Sequence, residues 1–123
     1  MSTIEITCTE AEFYEVMRES ALGRDWLRWH KKNPDFFTLF ERFTADAISR
    51  GHKNLSGWLI TNRVRWETSV VTRGNEYKIS NNFIALFARL YMVRHQQYVG
   101  FFRTKRMKRL TRDVFNSESS VDD

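Results

Sequence analysis

The residues of this chain whose types and spacing could do chemistry lie towards its C-terminus. Arg103-Thr104-Lys105-Arg106-Met107-Lys108-Arg109-Leu110-Thr111-Arg112 holds six cations and no acid in ten residues. Phosphate is the natural counterpart, because each phosphate neutralised by Lys or Arg releases condensed counterions and makes binding salt-sensitive. The cluster closes a longer basic stretch: residues 62–112 carry twelve Lys and Arg against two acids, Glu67 and Glu76, whereas residues 1–61 are nearly balanced and 113–123 are net acidic. Such an asymmetry predicts a polyanionic partner. The competing use of these cations is internal, since Glu10, Glu12, Glu15 and Glu19, or Asp122 and Asp123, could neutralise them.

A second group falls on a predicted helix over residues 82–95. Phe83, Ile84, Phe87, Leu90 and Tyr91 form its apolar face, and Asn81, Ala85, Arg89, Met92 and Gln96 the opposite stripe. Asn, Arg and Gln are suited to bidentate contacts with base edges, and a small Ala85 would let the backbone approach closely. The candidate nucleic-acid-binding residues are therefore Lys78, Asn81, Arg89, Gln96, Arg103, Lys105, Arg106, Lys108, Arg109 and Arg112. Phe101 and Phe102 beside these cations could stack unpaired bases. In an extended segment only one of two neighbours faces inward, so one is expected buried and the other partly exposed.

Other chemistries lack their residue patterns. His30, His52 and His95 stand apart, Cys8 is the only cysteine, and no pair has the spacing of a zinc finger or an HExxH site. No metal or cofactor is predicted. Glu67, Glu76 and His95 with the cations could be assembled into a nuclease, but these residue types are shared by countless nonenzymes, and the expectation is a noncatalytic protein.

The elements that must position these residues read as helices. Five Gly and one Pro supply few tight turns, while ten Phe and four Trp argue for a packed core. Thr9 and Glu12 have capping-box spacing ahead of a helix over 9–21. A short helix over 24–32, broken off by Gly23, displays Trp26 and Trp29, which are expected in the core with cations snorkelling around them. Asn33-Pro34-Asp35 starts a helix over 34–50 with a stripe of Phe36, Phe37, Phe40, Phe43, Ala47 and Ile48. A fourth helix, over 55–70, places Leu59, Ile60, Val64, Trp66 and Val70 inward, with Arg63 and Glu67 paired four residues apart. Residues 72–76 read as a turn, and 77–79 as a short extended piece that pairs with a second one over 101–105. Arg94 falls on the apolar stripe of the fifth helix and is expected to snorkel or to bond terminal carbonyls.

The expected fold is mainly α, a compact domain of four to five helices with a short two-stranded β element. The last two helices and the extended pieces would make a variant helix-turn-helix or winged-helix arrangement. The domain is expected over 1–116 with a disordered acidic tail over 117–123. A single cysteine, an N-terminus without a basic head and apolar run, and no long apolar stretch predict a soluble intracellular protein without a membrane partner. The aromatic surplus is compatible with a homo-oligomer.

Trp66-Glu67, Tyr77-Lys78-Ile79-Ser80-Asn81-Asn82-Phe83, Ala88-Arg89-Leu90 and Gly100-Phe101-Phe102-Arg103-Thr104-Lys105 together resemble a pattern in small accessory proteins of bacteriophages and prophages, over roughly residues 34–106. The resemblance implies a bacterial cytoplasm as the setting and a role near phage DNA metabolism or evasion of host defence. The basic extension from Met107 and the acidic tail lie outside it. The expected partner is nucleic acid, DNA ahead of RNA; the alternative is a host or phage protein, such as a defence or nucleic-acid-processing protein, that this chain would inhibit or modulate.

Overall fold

Thr9 opens the first helix as the sequence predicts. Its hydroxyl accepts from the Glu12 N–H at 3.1 Å while the Glu12 carboxylate accepts from the Thr9 N–H at 2.7 Å, a complete capping box. In the computed structural model, which describes residues 8–72, 78–110 and 112 apart from the side chains of 69–72, five α-helices follow in order. They are α1 (Glu10–Arg18), α2 (Ala21–Lys32), α3 (Pro34–Ser49), α4 (Gly57–Thr72) and α5 (Asn81–Arg94), with a 3-10 turn at Gln96–Tyr98. The described part is all-α and contains no strand. Residues 73–76 of the expected turn, Tyr77 of the expected extended piece and the expected tail over 117–123 lie outside the described residues.

The expected β pairing fails because the carbonyls that would form the ladder are already bonded. Arg65 Nη2 donates to the Ile79 carbonyl at 3.3 Å, Leu55 N–H to that of Phe101 at 3.2 Å, and Arg89 Nη2 to that of Lys105 at 2.7 Å. Two arginine side chains and one backbone N–H thus stabilise these segments as irregular chain.

Helix α2 begins three residues earlier than its sequence pattern suggests. Ser20 caps it by accepting from the Gly23 N–H at 3.0 Å, which places Gly23 inside the first turn instead of before the helix. The glycine is there for space: a Cβ at this position would lie 2.0 Å from the Met17 carbonyl oxygen, so α1 and α2 can meet this closely only without one. Asn33-Pro34 starts α3 as predicted, with Pro at the first turn, although Asn33 donates its side-chain amide to the Trp29 carbonyl at 2.9 Å and does not cap α3.

Helix α5 runs through the middle. Residues 86–93 are all buried, including Met92 of the stripe expected to face outward. Phe36, Phe37 and Phe40 of α3 and Trp26 of α2 surround it, all essentially inaccessible. Trp29 is half-buried against Phe36, Phe83 and Phe87. Helix α4 departs most from its expected orientation. Ile60, Thr61 and Val64 are buried, but Leu59 and Trp66 are 50% and 67% exposed. Apolar residues occur all round this helix, so sequence alone does not say which side its neighbours will cover.

Arg63 also pairs elsewhere. Its Nη1 donates to Asp46 Oδ2 of α3 at 2.8 Å and its guanidinium lies 4.4 Å from the centre of the Phe43 ring, so the pair with Glu67 is replaced by one between helices. Arg94 neither snorkels free nor binds carbonyls. It bonds both oxygens of Glu10 at 3.2 and 2.6 Å and reaches Glu41 at 3.2 Å, over the Phe37 ring. Among the described residues no helix is long and apolar enough to cross a membrane.

Two consequences are measurable. Gly23→Ala adds up to about 1 kcal/mol of helix propensity, but the clash with the Met17 carbonyl is of the overpacking kind that costs about 1–3 kcal/mol. Urea unfolding should show a net loss of stability. His30, stacked on Trp26 with its Nδ1 buried and unpartnered among the described residues, has its pKa lowered from 6.5 first by burial and then by Arg94. The folded state prefers neutral imidazole while the unfolded chain takes up a proton near 6.5. Its stability contribution is therefore complete above that pH and is lost as pH falls through the lower folded value. His30→Phe should flatten the melting temperature against pH just below 6.5 and leave the acid limb from carboxylates such as Glu10, whose pKa is lowered chiefly by its hydrogen bond with Arg94.

Candidate nucleic-acid interface

The basic cluster follows a turn at Gly100, whose φ of +94° is one that side-chain-bearing residues rarely adopt. Beyond it the chain alternates between anchors and cations. Phe101, Phe102, Thr104 and Leu110 are buried, whereas Arg103, Lys105, Arg106, Lys108 and Arg109 are exposed. Phe102 sits 5.4 Å from the Phe40 ring and 5.8 Å from that of Tyr91, edge-on to Phe101 at 5.0 Å. Both phenylalanines are therefore in the core, against the expectation of one in and one out. The segment is irregular there, so the alternation of a strand does not apply, and neither ring is available to stack a base.

Arg89 holds the segment to the central helix. Its Nη2 donates to the Lys105 carbonyl at 2.7 Å and its Nη1 to the Ala85 carbonyl at 3.0 Å. The residue is completely inaccessible, and this overturns its assignment to an outward stripe reading bases. The physical reason is legible in retrospect: Leu86-Phe87-Ala88-Arg89-Leu90-Tyr91-Met92-Val93 is apolar on every side except at Arg89, the pattern of a helix buried all round. A helix so enclosed cannot enter a DNA groove as a recognition helix. Its lone cation bonds carbonyls and fixes a strap, running from Phe101 to Leu110, whose other cations point outward.

The remaining candidates are dispersed. Lys78 and Asn81 are exposed at the entrance to α5, next to the Ser80 cap. Gln96 lies beyond its other end and donates to the Cys8 carbonyl at 3.1 Å. Fifteen residues of mostly helical chain put Asn81 and Gln96 about 22 Å apart, too far to read neighbouring bases together. Arg112 is turned inward on the protein's own charge: it grips both oxygens of Glu19 at 3.1 and 2.5 Å. The bond lowers the Glu19 pKa and raises that of Arg112. Self-pairing thus takes the last cation of the cluster. Among the described residues, Arg103, Lys105, Lys108 and Arg109 form no ion pair.

Elsewhere, His95 Nε2 lies 2.7 Å from Glu41 Oε2 and its ring stacks on Tyr91 at 4.3 Å, joined through Glu41 to the Arg94 clamp. Burial and, less strongly, Tyr98 and Glu41 push the Tyr91 pKa up to about 12. This cluster ties α1, α3 and α5 together. No group of three or more His, Cys, Asp and Glu suited to a metal ion occurs among the described residues. Comparison with protein-family models, curated proteins and solved structures finds no match.

The Arg89 contact is open to a direct check. Arg89→Met keeps an apolar stem but removes the bond to the strap, of a kind worth about 1.5–3 kcal/mol. Hydrogen exchange across 103–109 should accelerate at least tenfold, while the amides of α3 retain their protection.

Proposed function

We propose that the protein is a noncatalytic nucleic-acid-binding accessory protein that holds the phosphate backbone on its cationic strap. The observation that carries this reading is the pattern of burial over 101–110: Phe101, Phe102, Thr104 and Leu110 are buried and fix the chain, and Arg103, Lys105, Arg106, Lys108 and Arg109 along it are exposed. A strap held in place presents these charges with less ordering cost than a free tail of the same composition. Its cations suit phosphates, and no base-reading helix accompanies them among the described residues, so binding should depend on charge and hardly on sequence. Duplex DNA is the favoured ligand. The bacterial cytoplasm and the phage setting that the sequence pattern resembles supply the context.

Binding to mixed-sequence duplex over a salt series tests the reading. Five phosphate contacts predict a slope of log affinity against log salt of about −4.5. The double variant Lys105→Glu, Arg109→Glu should reduce that slope by about two and weaken all sequences alike. Lys53→Glu, exposed beyond α3, serves as the control for net charge. An affinity that does not change with salt, or an equal loss in the control, rejects the strap as the phosphate site.

A further inference from the structure

All three large apolar side chains that stand exposed among the described residues belong to α4: Trp58 at 55%, Leu59 at 50% and Trp66 at 67%. Ile60, Thr61 and Val64 turn the other side of the helix towards α3 and α5. Trp58, Asn62 and Trp66 follow one another at four-residue spacing, so they form a row along the outward face with Leu59 beside it. Two exposed indoles on one helix exceed the scatter of single apolar residues found on ordinary surfaces.

We propose that this face is a symmetric homodimer interface, in which α4 packs antiparallel against α4 of a second copy about a twofold axis at Asn62. The row is its own complement. Reversing the helix about Asn62 sets Trp58 against Trp66 of the second copy and Trp66 against its Trp58, as a self-matching interface requires. The charges allow it too: Arg63, Arg65 and Glu67 fall opposite positions 61, 59 and 57, so no charge of α4 meets its like. Asn62 at the axis already accepts from Arg65 Nη1 at 3.2 Å, which leaves its amide nitrogen to donate across the axis. At these exposures the two indoles and Leu59 offer about 400 Å² per copy, about half of what one partner buries in a standard interface. The flanking polar residues of the helix would supply the rim.

A chain of net charge +5 repels its copy, and salt screens that repulsion. Dimerisation should therefore strengthen as salt rises, opposite to phosphate binding, and this separates the two proposals. Sedimentation equilibrium of the full, nuclease-treated chain over a micromolar concentration series should show a species of twice the 14.8 kDa chain mass. Trp66→Glu and, separately, Trp58→Glu should weaken association at least tenfold with unchanged helical circular dichroism. Trp58→Glu combined with Trp66→Lys should regain part of it, because the new charges face each other only in the antiparallel register. A monomer at every concentration, or a dimer indifferent to both tryptophans, overturns the proposal. So does a monomer whose nucleic-acid binding falls on Trp66→Glu, which would make the indoles a base-stacking surface.

Discussion

The enclosure of α5 is the constraint on which the other features depend. Phe87, fully buried on that helix, has the rings of Phe36, Phe37 and Phe40 of α3 within 4.8–6.4 Å and those of Trp26, Trp29 and His30 of α2 within 5.2–5.7 Å. Phe13 of α1 joins through Trp26 at 5.8 Å. One side chain thus draws two helices onto a third and, through Trp26, engages a fourth. Dense aromatic packing of this kind is intolerant of volume changes, and it leaves α5 with no solvent face along most of its length. Any polar group there needs a partner inside the protein. Arg89 meets that requirement by bonding the Ala85 and Lys105 carbonyls, and in doing so it converts a basic C-terminal stretch into an anchored strap.

Charge is partitioned along the same lines. Glu10 and Glu41 take Arg94, Asp46 takes Arg50 and Arg63, and Glu19 takes Arg112. Exposed pairs of this sort contribute little stability individually. Their consequence is spatial: the acids are spent where helices meet, at α1 with α5, at α3 with α4, and at the far end of the strap. The excess of positive charge then remains on 103–109, away from those junctions. Of the described cations in the basic half-chain, those of 103–109 and the exposed Lys78 lie outside these junctions.

Local signals were legible and orientation was not. The Thr9 capping box, Pro34 at the first turn of α3 and the Phe36, Phe37, Phe40, Phe43 stripe depend on residues within a turn or two of each other, and the structure contains them as the spacing predicts. Which side of α4 faces inward depends on where α3 and α5 lie, and a helix with apolar residues all round carries no local record of it. The same holds for Asp46, which sits seventeen positions from Arg63 and displaces Glu67 as its partner. The strand reading of 101–105 failed for a related reason. Burial alternates only from Phe102 to Lys105, since Phe101 is buried as well, and the anchoring bonds come from Leu55 and Arg89 and not from a neighbouring strand. Of the candidate site, the 103–109 cations were found by composition alone, because charge density needs no fold to be read.

The strap and the outward face of α4 have opposite physical characters, and their coexistence on one small domain has a consequence for affinity. On the proposed reading, five phosphate contacts per chain would give a modest, salt-limited hold. Two straps joined through α4 would bind one polyanion with the second contact made at the effective concentration set by the first, which multiplies affinity without any new kind of contact. The joint has to be rigid for that gain, and a helix packed on a helix is rigid where a tail is not. The polyanion would in turn offset the repulsion between the two basic chains, so that each association favours the other. Coupling of this kind is reciprocal by thermodynamic necessity. It requires of the α4 face only that it be apolar, self-matching and separate from the strap, and Trp58, Asn62 and Trp66 occupy a helix that contributes no cation to 103–109.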